Sequence, residues 1–106
     1  MAIRGLLWCT LVHTLAQVAF QWDPKKALAN VQKHGIDFAD AVGVFEDPHG
    51  RTLDDSHPSE QRFASLGMDL LGRILVVSWT ARKDDIRLIS ARLATRRERR
   101  QYEMEE

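Results

Sequence analysis

The stretch FQWDPKKALANVQKHG, residues 20–35, specifies a strand and both ends of a helix. FQW alternates in polarity and predicts a short strand. Asp23 followed by Pro24 is typical of an N-cap and a first helical residue, and Gly35 is typical of a left-handed C-cap. The stretch therefore predicts a strand that leads into a helix ending at about His34.

The side chains of this helix separate into two groups by polarity. The apolar group, which we expect to face the core, consists of Ala27, Leu28 and Val31. The polar group, which we expect to project together from the other side, consists of Lys26, Asn30 and Lys33. The helix is thus predicted to be amphipathic.

The rest of the chain changes from helical to alternating polarity. Asp37 and the apolar residues after it predict a second helix, which ends near a turn-like segment at 46–50. Strands are then predicted at 51–55, 62–69, 73–81 and 85–94, a loop at 56–60, a hairpin turn at 82–85 and a closing helix at 95–106. We expect an α+β fold, in which a short strand and two N-terminal helices pack on a mostly antiparallel sheet followed by a C-terminal helix.

Composition limits the functions that this chain can have. It has 106 residues with 15 basic and 15 acidic side chains, which indicates one small domain with a formal net charge of zero. Zero net charge excludes a generic polyanion binder, so nucleic acid would require a local basic patch. Cys9 is the only cysteine, which excludes a disulfide framework and a cysteine-rich metal site and fits a reducing cytoplasm.

Residues 1–18 differ from the rest because they combine one early arginine with an apolar run and no acidic residue. This composition resembles a signal peptide, but polar residues interrupt the run, which is too short to span a bilayer, and no clear cleavage site follows. We therefore do not expect a secretion signal. We expect instead an extension that packs on the domain or on a partner, or a non-native segment that an upstream start codon adds. The folded domain is predicted to cover residues 19–106, without a membrane segment.

Six arginines and a single acid lie in RLISARLATRRERRQY, residues 87–102. Thr95 and Glu98 have the spacing of a capping box and predict that the last helix begins at Arg96. Arg96 and Arg97 then lie at the positive end of the helix dipole, which costs a few tenths up to about 1 kcal/mol for each charge. This placement predicts an anion site, because cations and unpaired backbone N–H groups converge there.

The strand before this helix is predicted to alternate regularly. One face would carry Ile86, Leu88, Ser90 and Arg92, and the other Arg87, Ile89 and Ala91. Ser90 and Arg92 would then lie beside the helix start and its anion. The alternative is an ordinary solvated face, on which Arg99 and Arg100 form i,i+4 pairs with Glu103 and Met104.

Four segments together resemble BrnT-type toxins of bacterial type II toxin–antitoxin systems: 20–48, 62–69, 73–80 and 86–103. The specific signatures are W-D-x-x-K-x-x-x-N-x-x-K-H-G and I-S-A-R-x-A-T-x-x-E-R-x-x-Y, and the likeness covers residues 20 to about 104. The resemblance implies a RelE-like fold and a metal-independent endoribonuclease that inhibits translation in the cytoplasm, without a cofactor. It also implies a BrnA-type antitoxin with a ribbon-helix-helix domain, through which operator DNA is bound only indirectly.

The signatures also identify candidate site residues. The first contributes Lys26, Asn30, Lys33 and His34. The second contributes Ser90, Arg92, Glu98, Arg99 and Tyr102, while Arg62 comes from the strand beginning RF. Arg96 and Arg97 join them as phosphate ligands because of their place at the helix start.

Metal-free RNA cleavage needs a base for the 2′-OH, cations for the charge on phosphorus and an acid for the 5′-oxygen, and it spares DNA. We expect Arg62 and Arg92 to stabilise the phosphate, since arginines on strands are held rigidly. Lys33 or His34 is expected to transfer protons, with Tyr102 as an alternative or as a base-stacking platform. His34 as a helix-terminal residue and Tyr102 as a partly buried aromatic are the structural alternatives.

Other interpretations use different residues or no catalysis. Trp22 and Trp79 are expected to belong to the core rather than to a site. A metal site would need the irregularly spaced set His49, Asp54, Asp55 and His57, so no metal is expected. The functional alternative is a non-catalytic module that binds a ribbon-helix-helix antitoxin and helps to repress its own operon.

Overall fold

A computed structural model describes residues 18–55 and 60–104. Residues 1–17, which form nearly all of the predicted extension, lie outside the described residues. So do residues 56–59 of the predicted loop and residues 105–106 of the predicted closing helix.

The secondary structure follows the predicted order. The strands are β1 (Phe20–Gln21), β2 (Arg51–Asp54), β3 (Phe63–Met68), β4 (Ile74–Arg82) and β5 (Asp85–Leu93). The helices are α1 (Pro24–His34), α2 (Phe38–Ala41), a 3₁₀ helix (Val42–Glu46) and α3 (Arg96–Glu103). Within the described residues, no helix is both long enough and apolar enough to cross a membrane.

Both ends of α1 form as predicted. The Asp23 carboxylate accepts a hydrogen bond from Lys25 N at 2.8 Å, with Pro24 as the first helical residue. At the other end Gly35 adopts φ 73°, a left-handed conformation that glycine enters without a side-chain clash, and donates its N–H to Val31 O at 2.8 Å. Local capping chemistry therefore fixes the length of α1.

The second predicted helix forms but changes its pitch. Asp37 caps α2, which after Ala41 tightens into the 3₁₀ helix. Gly43 lies against the β3–β4 turn so closely that a Cβ there would come within 2.6 Å of Leu70 N. Leu70 N also donates to Asp40 O at 3.2 Å, so this turn is fastened to the helical segment.

The strands form a five-stranded sheet in the order β1-β5-β4-β3-β2. β1 runs parallel to β5, and all other neighbours are antiparallel. The predicted α+β class with a mostly antiparallel sheet is confirmed, and β2 is an edge strand. The β4–β5 hairpin turns at Lys83, which adopts a positive φ of 59°.

The core lies between one face of the sheet and the layer formed by α1, α2 and the 3₁₀ helix. Its largest fully buried side chains are Phe38, Ile36, Leu75, Leu88 and Val77. Trp22 and Trp79 pack against this cluster, which confirms their prediction as core residues. Phe45 bridges Phe20 and Trp79, with ring centroids 5.1 and 5.6 Å away.

The inward face of α1 differs from the prediction. Leu28 and Val31 are 61% and 42% exposed, whereas Asn30 is only 5% exposed. Asn30 Oδ1 accepts from Ala91 N at 3.0 Å, and Nδ2 donates to Ala91 O and Ile36 O, both at 2.9 Å. β1 pairs with β5 only at Ile86 and Arg87, so the Asn30 amide replaces a neighbouring strand farther along the edge of β5.

The predicted alternation of β5 is also wrong, because the strand contains a bulge. Ser78 pairs with Ser90 but Trp79 pairs with Leu88, which leaves Ile89 as an extra residue. Because one residue is inserted, the side chains on one side of the bulge lie on the opposite sheet face from the one that regular alternation predicts. Leu88 is therefore buried on the same face as Ala91, not on the face of Ser90.

Candidate functional site

The sheet face opposite the helical layer carries α3, and we call it the α3 face. Cross-strand partners share a face, so the register assigns to it the residues Arg51, Leu53, Ala64, Leu66, Val76, Ser78, Thr80, Arg87, Ser90 and Arg92. Arg51 Nη1 lies 3.5 Å from Gln101 O of α3, which sets this helix against β2 and β3. The face combines small central side chains with arginines from two strands.

A bidentate ion pair attaches the start of α3 to β5. Arg92 Nη1 and Nη2 donate to the two carboxylate oxygens of Glu98 at 2.9 and 3.0 Å. Glu98 Oε1 also accepts from Thr95 N at 2.8 Å, while Thr95 Oγ1 accepts from Glu98 N at 3.2 Å. The predicted capping box is confirmed. Its acidic residue, Glu98, also forms the ion pair with Arg92.

This ion pair changes the meaning of the predicted anion site. The hydrogen bond from Arg92 lowers the pKa of Glu98 to about 2, and the same contact raises the pKa of Arg92. Glu98 is thus an anion at neutral pH, bound by a guanidinium and a backbone N–H at the helix start. The Glu98 carboxylate therefore supplies at least part of the negative charge that the sequence predicts beside Arg92.

A second polar contact holds the other end of α3. Tyr102 Oη donates to Asp47 Oδ2 at 2.6 Å, and Asp47 also accepts from the backbone N–H groups of Met68 and His49 at 2.8 and 2.9 Å. Burial raises the pKa of Asp47, but the hydrogen bonds from Tyr102 and the two backbone groups outweigh it, so the pKa is lowered overall. Tyr102 is half-buried and serves as an anchor in this arrangement.

The outward side of α3 lines an open groove of about 540 Å³, which we call the arginine groove. Its described lining consists of Arg96, Arg97, Arg100, Gln101 and Met104. Within the described part of the chain none of these arginines forms an ion pair. Arg99 lies on a flank of the helix, and the alternative pairing with Glu103 is not among the ion pairs of these residues.

The residues of the first signature lie on the other side of the sheet. Lys26 and Lys33 are exposed on α1 and His34 is half-buried at its end, whereas α1 packs against the Leu88 and Ala91 side of β5. The structure does not bring these three side chains into contact with Arg92 or α3. Asn30 has both carbonyl and amide engaged by backbone groups, so we do not retain it as a phosphate ligand.

Arg62 and Arg92 are also kept apart. Arg62 precedes Phe63, which pairs with Trp79, whereas Arg92 pairs with Val76 on the far side of β4. Their positions differ by roughly 13 Å along the strands and roughly 10 Å across them. Arg62 Nε instead donates to Glu60 Oε2 at 2.8 Å. The two arginines are therefore not positioned to bind the same phosphate.

Several contributors to this site were not anticipated from the sequence. Asp47 and Gln101 anchor α3, and Arg100 lines the arginine groove one turn after Arg96. The spacing of Arg96, Arg100 and Met104 was a visible signal, but nothing in the sequence linked Asp47 to a tyrosine so far along the chain.

Across residues 18–55 and 60–104, no three His, Cys, Asp or Glu side chains are grouped to hold a metal, and His57 lies outside these ranges.

The α+β fold of this chain has a counterpart among solved structures. It is similar to the 1.1 Å crystal structure of the ribonuclease toxin BrnT from Brucella abortus, with a TM-score of 0.58 and 23% sequence identity. The likeness covers 76% of this chain and 100% of that one. A search of curated protein sequences gives no significant match.

The family model for BrnT, the ribonuclease toxin of a type II toxin–antitoxin system, matches residues 22–98. This match spans most of the chain and includes α1, the strands β2 to β5 and the start of α3. The chain belongs to the BrnT family of ribonuclease toxins.

Proposed function

We propose that this chain is a cytoplasmic endoribonuclease that cleaves RNA without a metal, by attack of the 2′-OH, and thereby inhibits translation and growth. A BrnA-type ribbon-helix-helix antitoxin neutralises it and connects the complex to operator DNA. Membership of a family of ribonuclease toxins supports the ribonuclease activity. The observation that carries the proposal is the arginine groove, whose arginines form no ion pair with other described residues and lie on the helix that Glu98 attaches to Arg92.

The arginine groove supplies the affinity for RNA in this proposal. Arg96, Arg97 and Arg100 project from one side of α3 without carboxylate partners in the described residues, so their charges remain available to phosphates. Arg99 adds a fourth cation on the adjoining flank of the helix. Because the net charge of the chain is zero, this local concentration directs RNA to the α3 face.

Arg92 and Ser90 provide the phosphate-stabilising position. They are two residues apart on the same face of β5, and Glu98 fixes the orientation of the Arg92 guanidinium. A preorganised cation stabilises the charge that develops on phosphorus without rearranging during the reaction. Arg62 lies toward the opposite end of the sheet and contacts a more distant part of the RNA.

Proton transfer is assigned to Tyr102, with Lys33 and His34 as the other candidates. Tyr102 follows Glu98 by one helical turn, so it lies on the same side of α3 as the partner of Arg92. Its hydroxyl proton is directed at Asp47 Oδ2, so the hydroxyl oxygen accepts the 2′-OH proton while its own proton passes to Asp47. Lys26, Lys33 and His34 lie on α1 and approach the RNA from the opposite side of β5.

The test is cleavage of a fluorescein-labelled, mixed-sequence RNA in EDTA, beside the same sequence made entirely of deoxynucleotides. We expect the RNA to be cut to products with a 5′-OH and the DNA to remain intact, because the nucleophile is the 2′-OH. Arg92→Ala should slow cleavage by at least about 100-fold. Lys25→Ala, which removes an exposed cation from α1, is the matched control and should leave the rate unchanged.

The same assay separates catalysis from mere binding. Cleavage that requires a metal, or equal cutting of RNA and DNA, would contradict the mechanism. The non-catalytic alternative is favoured by one observation, the neutralisation of Arg92 by Glu98. It would be established if the wild-type chain cut no RNA and did not slow growth without its antitoxin, yet still bound that antitoxin.

A further inference from the structure

We infer that Arg87 is an additional phosphate-binding residue, at the end of the α3 face away from Arg92. The inference rests on the proposed function, since it extends the RNA-binding surface of the same site. Regular alternation would place Arg87 opposite Ser90 and Arg92. The bulge at Ile89 instead puts Arg87 on their face, where it pairs with Thr80 of β4.

The guanidinium of Arg87 is held in place by a neutral group. Arg87 Nη1 donates to Gln21 Oε1 at 3.2 Å, and Gln21 Nε2 donates to Asp85 Oδ2 at 3.3 Å. Gln21 is the register partner of Arg87 in the parallel β1–β5 pair, so the two side chains share a face. Asp85 orients the amide of Gln21, and the amide orients Arg87.

This neutral partner distinguishes Arg87 from three other positioned arginines. Arg62, Arg73 and Arg92 are each bonded directly to a carboxylate, which offsets part of their charge. Arg87 is oriented by Gln21 and has no ion pair among the described residues. An oriented guanidinium on a half-exposed surface, without a direct carboxylate contact among the described residues, is suited to an external anion.

The position of Arg87 places that anion at a separate phosphate. Arg87 pairs with Thr80 and Arg92 pairs with Val76, so the two positions are four β4 residues, roughly 13 Å, apart. Ser78 and Ser90 lie opposite each other between them, and their short side chains leave room for a nucleic-acid backbone. One RNA strand laid along β5 would reach both arginines through different phosphates.

The experiment measures binding of a fluorescein-labelled, fully 2′-O-methylated mixed-sequence RNA by fluorescence anisotropy over a range of salt concentrations. This probe keeps every phosphate but lacks the nucleophile, so it is not consumed. Arg87→Gln should weaken binding at low salt several-fold and reduce the slope of log affinity against log salt by about 0.7, the value for one lost single-strand phosphate contact. Lys25→Gln, with the same loss of charge on α1, should leave the slope unchanged.

The outcomes distinguish this inference from the proposed function. If the wild-type chain does not bind the RNA, both are overturned. If it binds and Arg87→Gln behaves like Lys25→Gln, or weakens only antitoxin binding, the inference alone is overturned. Thermal melting checks that each variant is folded, and Arg87→Met, which keeps the aliphatic length, replaces Arg87→Gln if that variant does not fold.

Discussion

The two long helices, α1 and α3, begin in the same way but are attached to the sheet by different forces. Each has a polar N-cap and two cations among its first helical residues. α1 buries Asn30 and packs Ala27 against the apolar core, whereas α3 has no buried residue. α1 therefore belongs to the scaffold, while α3 is a charged helix that polar contacts from Arg92, Asp47 and Arg51 hold in place.

Charge order alone does not separate the two helices. Lys25 in α1 and Arg97 in α3 both occupy the second helical position, where a cation opposes the dipole. What distinguishes α3 is that its cations continue through Arg100 along one side and line a groove. The arrangement of charge, rather than its conflict with the dipole, marks the functional helix.

The largest effect should come from cutting the attachment of α1. Asn30→Ala would leave the N–H and C=O of Ala91 and the C=O of Ile36 without their partners, so we expect a loss of roughly 3 kcal/mol in the free energy of unfolding. Urea denaturation measures it. Gln32→Ala, an exposed polar change on the same helix, is the control and should cost less than about 0.5 kcal/mol. Equal costs for the two variants would show that α1 is not fastened through Asn30.

Cutting the attachment of α3 should cost less. Glu98→Ala removes the ion pair with Arg92 and half of the capping box, which together should lower the unfolding free energy by roughly 2 kcal/mol. Amide hydrogen exchange should show faster exchange confined to α3, because the core does not depend on this contact. A uniform increase across the sheet would instead mean that α3 is part of the scaffold.

Acid should weaken the attachment of α3. The folded-state pKa of Glu98, about 2, lies below the ordinary value of 4.5, so its contribution is complete above about pH 4.5 and is lost as the pH falls toward 2. The lowered pKa of Asp47 acts in the same direction. The difference in unfolding free energy between wild type and Glu98→Gln should therefore shrink across this range. A difference that stays constant down to pH 2 would exclude the ion pair as its source.

Local sequence signals predicted the elements because their causes are local. Asp23 and Gly35 bound α1, and Thr95 with Glu98 starts α3, through contacts that span only a few residues. The alternating segments predicted every later strand, because a sheet with one buried face requires that period.

The features that set the site depend on distant partners. Asn30 forms hydrogen bonds with Ala91, sixty-one residues later in the chain, and Tyr102 donates a hydrogen bond to Asp47, fifty-five residues earlier. The bulge at Ile89 is visible only when β4 is laid beside β5. Periodicity along one segment does not report these pairings, so the elements were predictable while the composition of the α3 face was not.

A smaller effect on stability is expected at the far end of α3. Tyr102→Phe removes the hydrogen bond to Asp47, which should lower the unfolding free energy by about 1.5 kcal/mol. If Tyr102 transfers a proton, the same change should also slow RNA cleavage by about 100-fold. A stability loss with cleavage reduced less than tenfold would make Tyr102 an anchor only.

The smallest effect on stability, and the sharpest contrast between the helices, should come from the matched pair Arg97→Gln and Lys25→Gln. Each removes a cation from the second position of its helix, so each should raise the unfolding free energy by about 0.3 kcal/mol. Only Arg97→Gln should weaken RNA binding and reduce its salt dependence, because only Arg97 lines the arginine groove. If Arg97→Gln raises the unfolding free energy but weakens RNA binding, the charge that destabilises the helix serves RNA binding. If both variants lose RNA binding equally, the RNA-binding surface also includes α1.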